Sequence, residues 1–198
     1  HPLTSHEMGA SFNLDHCLLF GGLPPHVRTS EPTQQLRAYV DEYLRGEILS
    51  EGLVRRLPVF SDFLRISALS SGSTITLSNI ARECGVSAPT VRAYIDILSE
   101  TLMADFLPAY VHHQKRRLVH MPKWYIHNVG IVQTLLGRTQ LAQGTPEYGQ
   151  ALEHWIHHEL KAYGAYRSDL LPLTYWRTTT GVEVDFIVGE MRLAIEVK

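Results

Sequence analysis

The segment at residues 74–102 constrains the fold most, because its capping residues and apolar spacing fit two short helices joined by a tight turn. Ser78 can cap the first helix, and Gly85 can close it in the left-handed conformation. Ser87 can cap the second helix, with Pro89 in its first turn. Such a pair is typical of a helix-turn-helix, which we predict here. Two ordinary core helices that meet at a glycine are the alternative.

Apolar residues recur at helical spacing in this segment and are expected to form its buried side. They are Ile80, Ala81 and Cys84 in the first helix, and Val91, Tyr94 or Ile95, Leu98 and Leu102 in the second. Two apolar runs follow at residues 106–111 and 118–121, around the basic stretch Lys115, Arg116 and Arg117. Short apolar runs around a polar tip predict a β-hairpin. A helix-turn-helix followed by such a hairpin predicts a winged helix.

The rest of the chain divides into helical and strand-like segments. Before the helix-turn-helix, the spacing of apolar residues predicts helices over 31–57 and 59–69. After the hairpin, residues 151–166 form a predicted amphipathic helix whose inward residues are Leu152, Trp155, Ile156, Leu160 and Tyr163. Three predicted strands follow, at residues 173–177, 183–188 and 192–198.

Composition is that of a folded protein of the cytoplasm. Apolar residues make up 44% of the 198 residues and charged residues 19%, so a buried core is expected and wholesale disorder is not. No run of about 18 apolar residues is present, and we predict no membrane span. The two cysteines, Cys17 and Cys84, lie among apolar neighbours. We expect both to be buried free thiols in a reducing compartment.

The charge of the chain is unevenly distributed. The formal net charge of −2 argues against a strongly basic nucleic-acid binder. Residues 54–123, however, carry nine basic and five acidic side chains, a net of +4, whereas the segments on either side are net acidic. The one basic region therefore coincides with the predicted helix-turn-helix and hairpin.

Several short motifs occur in a characteristic order. They are PLTSHE at 2–7, GGLP at 21–24, MPKWYIHNVG at 121–130, Gly149 with Glu153, YWR at 175–177, EVDF at 183–186 and IEVK at 195–198. In this order, over nearly the whole chain, they resemble the C-terminal half of certain prokaryotic AAA-type ATPases. In those proteins an ATPase core is followed by a domain of unknown function.

The resemblance implies a domain organisation. Residues 1–30 would be the tail of the ATPase module, 31–130 a helical and winged-helix domain, and 131–198 an incomplete nuclease-like α/β unit. Because the chain begins with His1 and ends within a strand-like run, we expect both ends to be cuts. The family usually has Asp where this chain has Asn128.

The nucleotide-binding loop of an ATPase is absent from this sequence. No Gly-x-x-x-x-Gly-Lys-Ser/Thr motif is present, nor any Gly-Lys pair. Backbone amides and a lysine that hold the β- and γ-phosphates are therefore missing. We predict no ATP hydrolysis by this chain alone, and ATP as a cofactor only where the upstream core is present.

Charged residues near the end of the chain fit the Asp…Glu-x-Lys pattern of a nuclease-like fold. They are Asp185, Glu196 and Lys198. Because side chains alternate along a strand, Asp185 and Glu196 are expected on the same face of adjacent strands, close enough to share one cation. Glu153 is the predicted third carboxylate and Lys198 would orient the nucleophile, with Mg²⁺ activating water. A solvated sheet face without catalysis explains the same residues, and we expect an inactive site.

A histidine pair and a set of polar residues around the helix-turn-helix each have both a functional and a structural explanation. His154 and His158 have the spacing of zinc ligands, but Trp155 stands where a zinc hydrolase has Glu, so we expect surface histidines. For nucleic acid, the candidate contacts are Thr90 and Arg92 on the second helix of the helix-turn-helix and Lys115, Arg116 and Arg117 at the hairpin tip. Asp96 and Glu100 on the same helix would repel phosphate. DNA and a protein partner both stay open.

The sequence thus predicts an α+β fold in which a helical part with a winged helix-turn-helix precedes a small, incomplete, nuclease-like helix-plus-sheet unit. The predicted function is that of an accessory C-terminal binding region of a prokaryotic AAA-type ATPase, docking nucleic acid or a protein partner. A stand-alone winged-helix DNA-binding regulator is the first alternative. A Mg²⁺-dependent nuclease of the PD-(D/E)xK type is the second.

Overall fold

The computed structural model describes residues 1–27, 29–43, 57–111, 119, 121–167 and 171–198, and these ranges confirm the α+β class. The helices are α1 Ser5–Met8, α2 Leu14–Phe20, α3 Pro24–Val27, α4 Pro32–Tyr43, α5 Leu57–Leu69, α6 Leu77–Cys84, α7 Ala88–Glu100, α8 Val129–Leu135 and α9 Pro146–Tyr166. The strands are β1 Ser73–Thr74, β2 Ala104–Leu107, β3 Lys123–Ile126, β4 Leu173–Arg177, β5 Glu183–Val188 and β6 Leu193–Ile195. Part of the first predicted helix, residues 44–56, lies outside the described ranges.

An aromatic cluster forms the centre of the larger core, between α5 and α7. Phe60 and Phe63 are fully buried, and the ring of Tyr94 lies edge-on to Phe60 at 5.0 Å between centroids. Edge-to-face packing of this kind adds about 1 kcal/mol to the burial of apolar area. The helix-turn-helix helices are thus attached to α5 by their buried faces, which leaves the opposite face of α7 in solvent.

The first sheet has the order β1-β3-β2 with antiparallel pairs. In it β2 pairs with residues 123–126, which follow the apolar run 118–121 of the predicted hairpin. The ladder stops at the pair Leu107–Lys123, since Pro108 and Pro122 beyond it have no N–H to donate. Residues beyond Pro108 turn instead toward β4, where the Tyr110 N–H donates to the Tyr175 carbonyl at 2.6 Å.

The second sheet has the order β4-β5-β6, also antiparallel, and α9 packs against it. The strands at 173–177 and 183–188 have the predicted bounds, whereas β6 ends at Ile195 rather than at residue 198. The Val197 N–H donates to the Asp185 carboxylate at 2.8 Å, so a side chain takes the place of the next ladder bond. Tyr125, Tyr175 and Phe186 join the two sheets in a small core of their own.

The N-terminal segment packs against α8 and α9. A capping box between Thr4 and Glu7 starts α1, and the Leu3 N–H donates to the Gly22 carbonyl at 2.6 Å. The Ser5 N–H donates to Glu159 of α9 at 2.6 Å. The first residues of the chain are therefore held against α9, 154 positions further along.

Several local predictions need correction. Helix α6 starts after Thr76, so Ser78 lies inside it and does not cap it. Leu102 follows the end of α7 and is 76% exposed, not buried, because a positive φ of 59° turns it outward. Tyr163 is also exposed, and Cys84 is only half-buried. Pro24 starts α3 directly after the Gly-Gly turn, as its fixed φ allows.

Within the described ranges, no helix is both long enough and apolar enough to cross a membrane.

Candidate functional site

The turn between α6 and α7 has the geometry that the sequence predicts. Gly85 has a φ of +63° and ψ of +35°, and its N–H bonds back to carbonyls of α6. The Ser87 hydroxyl accepts from the Thr90 N–H at 3.3 Å at the start of α7. Two of the local signals behind the helix-turn-helix prediction, Gly85 and Ser87, are confirmed, because each acts within four residues of its own position.

The outer face of α7 carries both signs of charge. Arg92, Asp96 and Glu100 are exposed, and Ala93 lies between them in the same stripe. Thr90 is half-buried, and its hydroxyl lies 2.9 Å from that of Ser87. Of the predicted nucleic-acid contacts, Arg92 is therefore available at the surface and Thr90 is engaged in the cap.

The other predicted contacts, Lys115, Arg116 and Arg117, lie outside the described residues. Their placement relative to α7 stays a prediction.

A buried lysine organises the carboxylates of the second sheet. Lys123 of β3 has a side chain that is 4% exposed, and its Nζ lies 2.8 Å from Glu153 and 2.5 Å from Glu183. The Asp185 carboxylate is 4.0 Å away. Three elements, β3, α9 and β5, thus bring four charged groups to one point.

One aromatic hydroxyl, one aromatic ring and a further cation surround these four groups. Tyr125 donates to the same oxygen of Glu153 at 2.8 Å, and the Lys123 ammonium lies 5.3 Å from the centre of the Tyr175 ring. Arg177 Nε lies 3.4 Å from Glu183. We call Lys123, Glu153, Glu183 and Asp185 the Lys123 cluster. Its three carboxylates face two basic groups, so most of its negative charge is balanced from within the chain.

The electrostatics of Lys123 follow from this balance. Burial alone lowers the pKa of the ammonium, but the charges and hydrogen bonds of Glu153 and Glu183 outweigh burial and raise it. Burial, with the charge of Glu153 behind it, raises the pKa of Tyr125 well above its usual value. Lys123 is therefore a fixed cation and Tyr125 a fixed hydrogen-bond donor at neutral pH, and neither is set up as a proton shuttle.

The structure brings only part of the predicted catalytic set together. Glu153 and Asp185 meet at Lys123, whereas Glu196 and Lys198 lie beyond the end of β6 with exposed side chains. The observed ladder ends at the pair Phe186–Ile195. Extending that register by one residue would place Asp185 opposite Glu196. Their convergence and their binding of Mg²⁺ stay predictions, and among the described residues no group of three or more His, Cys, Asp or Glu has the arrangement of a metal site.

Sequence reasoning missed Lys123 as the centre of the site. The signal was available, because Lys123 opens the run Lys-Trp-Tyr-Ile, whose other members are large and apolar. A lysine in such a buried strand needs a carboxylate partner. Which carboxylates would supply it depends on contacts across 30 and 60 residues, and the local pattern does not contain them.

The prediction of surface histidines at 154 and 158 is wrong. Both are buried, because α9 is covered by β3 on one side and by the N-terminal segment on another. His154 Nε2 donates to the Ile126 carbonyl at 2.7 Å, and burial lowers the pKa of its ring to about 4. Its Nδ1 lies 3.5 Å from the Ser71 hydroxyl. His154 is thus a neutral side chain whose hydrogen bond links α9 to β3.

Asn128 has a structural role that explains its position. Its side-chain oxygen accepts from the N–H groups of Gly130 and Ile131, at 2.8 and 3.3 Å, and so caps α8. A carboxylate could accept the same two bonds, so Asp at this position would cap the helix equally well.

We expect Asn128→Ala to lower the free energy of unfolding by about 1–2 kcal/mol, because two buried N–H groups lose their acceptor. Asn128→Asp is the matched control and is expected to retain most of the stability. Urea unfolding followed by circular dichroism measures both. Equal losses in the two variants would show that the amide nitrogen, and not the cap oxygen, matters.

Comparison with known proteins gives family matches without a known activity. Residues 11–142 match the family described as "Domain of unknown function (DUF8612)", and residues 148–198 match the "Domain of unknown function (DUF4143)". The chain is 30% identical over 193 residues to "Uncharacterized protein Mb2031c" of Mycobacterium bovis and to "Uncharacterized protein Rv2008c" of Mycobacterium tuberculosis. The alignment covers 94% of this chain but only 42% of each relative. No solved structure matches.

Proposed function

We propose that this chain, which belongs to the DUF8612 family of unknown function, is the accessory C-terminal region of a prokaryotic AAA-type ATPase and works as a docking module for a protein partner. The observation that carries the proposal is the exposed outer face of α7, whose inner face packs through Tyr94 on the core around Phe60. Such an arrangement presents one rigid helix to a partner and offers no group of its own for chemistry.

The charges on α7 favour a protein over nucleic acid. One arginine, Arg92, shares the exposed stripe with Asp96 and Glu100, so the stripe carries a net negative charge. Phosphate backbones bind through clustered basic groups, and each acidic group in the contact weakens that binding. A protein surface can provide partners for both signs.

The Lys123 cluster supports a docking role over nuclease activity. A nuclease-like site needs its carboxylates free to ligate Mg²⁺ and to accept protons from water. Here Glu153 and Glu183 are bonded to a buried ammonium, whose single positive charge supplies part of the charge that a divalent cation would supply. Displacing Lys123 would leave a buried cation without its partners.

The ATPase part of the proposal rests on the motif resemblance and on the relatives. DUF4143 is commonly found with AAA ATPases. The chain spans less than half the length of the two curated relatives, which leaves room in them for a further module. A full-length gene product without a P-loop upstream of the region that starts at His1 would contradict this part.

Affinity purification of the full-length protein tests the docking role. We expect a defined protein to co-purify and the ultraviolet absorbance of the preparation to show no nucleic acid. We expect Arg92→Glu to reduce recovery of that protein at least about fivefold, which corresponds to about 1 kcal/mol at an interface. Arg192→Glu makes the same charge change at an exposed site on the β5–β6 turn and is the control. Nucleic acid as the retained partner, or equal recovery from both variants, would contradict the proposal.

A stand-alone winged-helix DNA-binding regulator is a second candidate, favoured by the element order. The order α5-β1-α6-α7-β2-β3, with β3 between the other two strands, is that of a winged helix. This candidate predicts duplex binding by the chain alone, with an affinity that falls steeply as salt rises. Docking to protein predicts no gel shift even at about 50 mM salt, where phosphate contacts are strongest.

A further inference from the structure

Two neighbouring histidines of α9 are buried although their surroundings offer no counter-charge in direct contact. His157 and His158 are 5% and 7% exposed. Histidine can gain a charge at mildly acidic pH, which most buried side chains cannot. The contacts of each ring determine what such a charge would do.

His157 is held by stacking. Its ring lies 3.9 Å from the Tyr125 ring at an interplanar angle of 11°, and 6.1 Å from the Phe186 ring at 24°. The Tyr125 hydroxyl in turn donates to Glu153 of the Lys123 cluster. The neutral ring of His157 therefore stacks between two aromatic side chains and so packs α9 against β3 and β5.

His158 holds the N-terminal segment. Its Nε2 lies 3.3 Å from the Leu3 carbonyl oxygen, to which it donates, and its ring lies 5.4 Å from that of Trp155. The neighbouring Glu159 accepts from the Ser5 N–H. His158 and its neighbours are thus the contact between α9 and the first residues of the chain.

Burial opposes a positive charge on both rings, although the Leu3 carbonyl, Glu159 and Glu7 favour the charged form of His158. Burial, first of all, lowers the pKa of His157 well below its usual value and that of His158 to a smaller degree. The basic groups nearby, Lys123 and Lys161, act in the same direction on His157. The titratable groups that face these histidines from the packed elements are Glu7, Asp105, Lys123, Tyr125, His127, Glu153, His154, Glu159, Lys161, Glu183, Asp185 and the amino group of His1.

Histidines are absent from the helix-turn-helix part of the chain. Residues 57–107 contain none, whereas His127, His154, His157 and His158 all lie in or beside the contact of α9 with β3. Mild acid therefore acts on this contact and leaves residues 57–107 without an imidazole, whereas the buried His26 lies at the separate contact of α3 with α4.

We propose that His157 and His158 make the contact of α9 with β3 and with the N-terminal segment a proton-sensitive latch. The rings are neutral when the latch is closed, and protonation releases α9 while α5, α6 and α7 stay folded. Because the closed state binds fewer protons than the open one, stability is full above the unfolded-state pKa near 6.5. It is lost as pH falls below that value, toward the depressed pKa of the closed state.

Hydrogen exchange of the full chain tests the latch between about pH 7.5 and about pH 5.5, with rates corrected for the intrinsic pH dependence. We expect amides of 146–166 and 3–8 to lose protection by at least about tenfold, while those of 88–100 keep theirs. In His157→Phe, which keeps the stack, and His158→Gln, which keeps a donor for Leu3, the transition is expected to move down by about one pH unit. His6→Gln changes an exposed histidine and is the control, expected to leave the transition unmoved.

An NMR titration of the histidine rings in the unaltered chain keeps the test decisive if a variant does not fold. We expect His157 and His158 to take up protons together with the loss of protection in α9. Proton uptake by both rings while α9 stays protected would overturn the proposal. So would loss of protection at an unchanged pH in both variants, or equal loss in 88–100.

Discussion

Gly130→Ala is expected to destabilise the chain by about 3 kcal/mol or more, since the methyl group would meet backbone and not a side chain that can move. A Cβ at Gly130 would lie 2.1 Å from the Phe20 carbonyl oxygen and 2.8 Å from the Gly21 nitrogen. Helices α2 and α8 would have to separate, which opens the core between them. The midpoint of urea unfolding, with its slope, measures the loss.

Gly149→Ala is the matched control for this prediction. Gly149 lies in α9, and an added Cβ there has no neighbour within 4 Å. The control is expected to stabilise by about 0.5–1 kcal/mol, because alanine has the higher helix propensity. If Gly130→Ala unfolded at the same urea concentration as the unaltered chain, the close approach of α2 and α8 would be wrong.

Lys123→Met is expected to lower the free energy of unfolding by about 3–5 kcal/mol. The substitution keeps the apolar length of the side chain and removes its charge. The half-buried carboxylates of Glu153, Glu183 and Asp185 would then lose their shared, buried partner. The Tyr125 hydroxyl would still donate to Glu153 but could not balance three carboxylates. Thermal and urea unfolding at neutral pH measure the loss.

Lys161→Met makes the same chemical change at a half-exposed pair. Lys161 bonds to Asp105, and both side chains are well exposed, at 37% and 45%. Solvent screens such a pair, so the expected loss is below about 1 kcal/mol. Similar losses in the two lysine variants would contradict the buried, organising role of Lys123.

The sequence is most informative where structure is local. Gly85 and Ser87 bond to atoms within a few residues, so their residue types predict the turn between α6 and α7. The alternating run 183–186, continued by Ile187 and Val188, predicts β5 with its bounds, although Phe186 and Ile187 lie on opposite faces and are both buried. Pro108 and Pro122 would have allowed the register of β2 and β3 to be predicted as well.

The parts that were missed depend on contacts between distant segments. The role of Lys123 comes from α9 and β5, which lie far along the chain. His158 is buried because residues 1–8 cover it, and the periodicity of α9 does not indicate that second buried side. Gly130 is constrained by the backbone of Phe20, which leaves no pattern in the residues around Gly130.

Basic groups of the chain balance most of the negative charge of the Lys123 cluster, and we propose that this region docks a partner without cutting nucleic acid. Incubation of the chain with supercoiled and single-stranded DNA at about 5–10 mM Mg²⁺, well above what carboxylate-held Mg²⁺ sites need, tests it most directly. We predict no cleavage above that of a matched Asp185→Asn preparation. Mg²⁺-dependent cleavage by the unaltered chain that is lost in both Asp185→Asn and Glu153→Gln would contradict the claim and establish a nuclease.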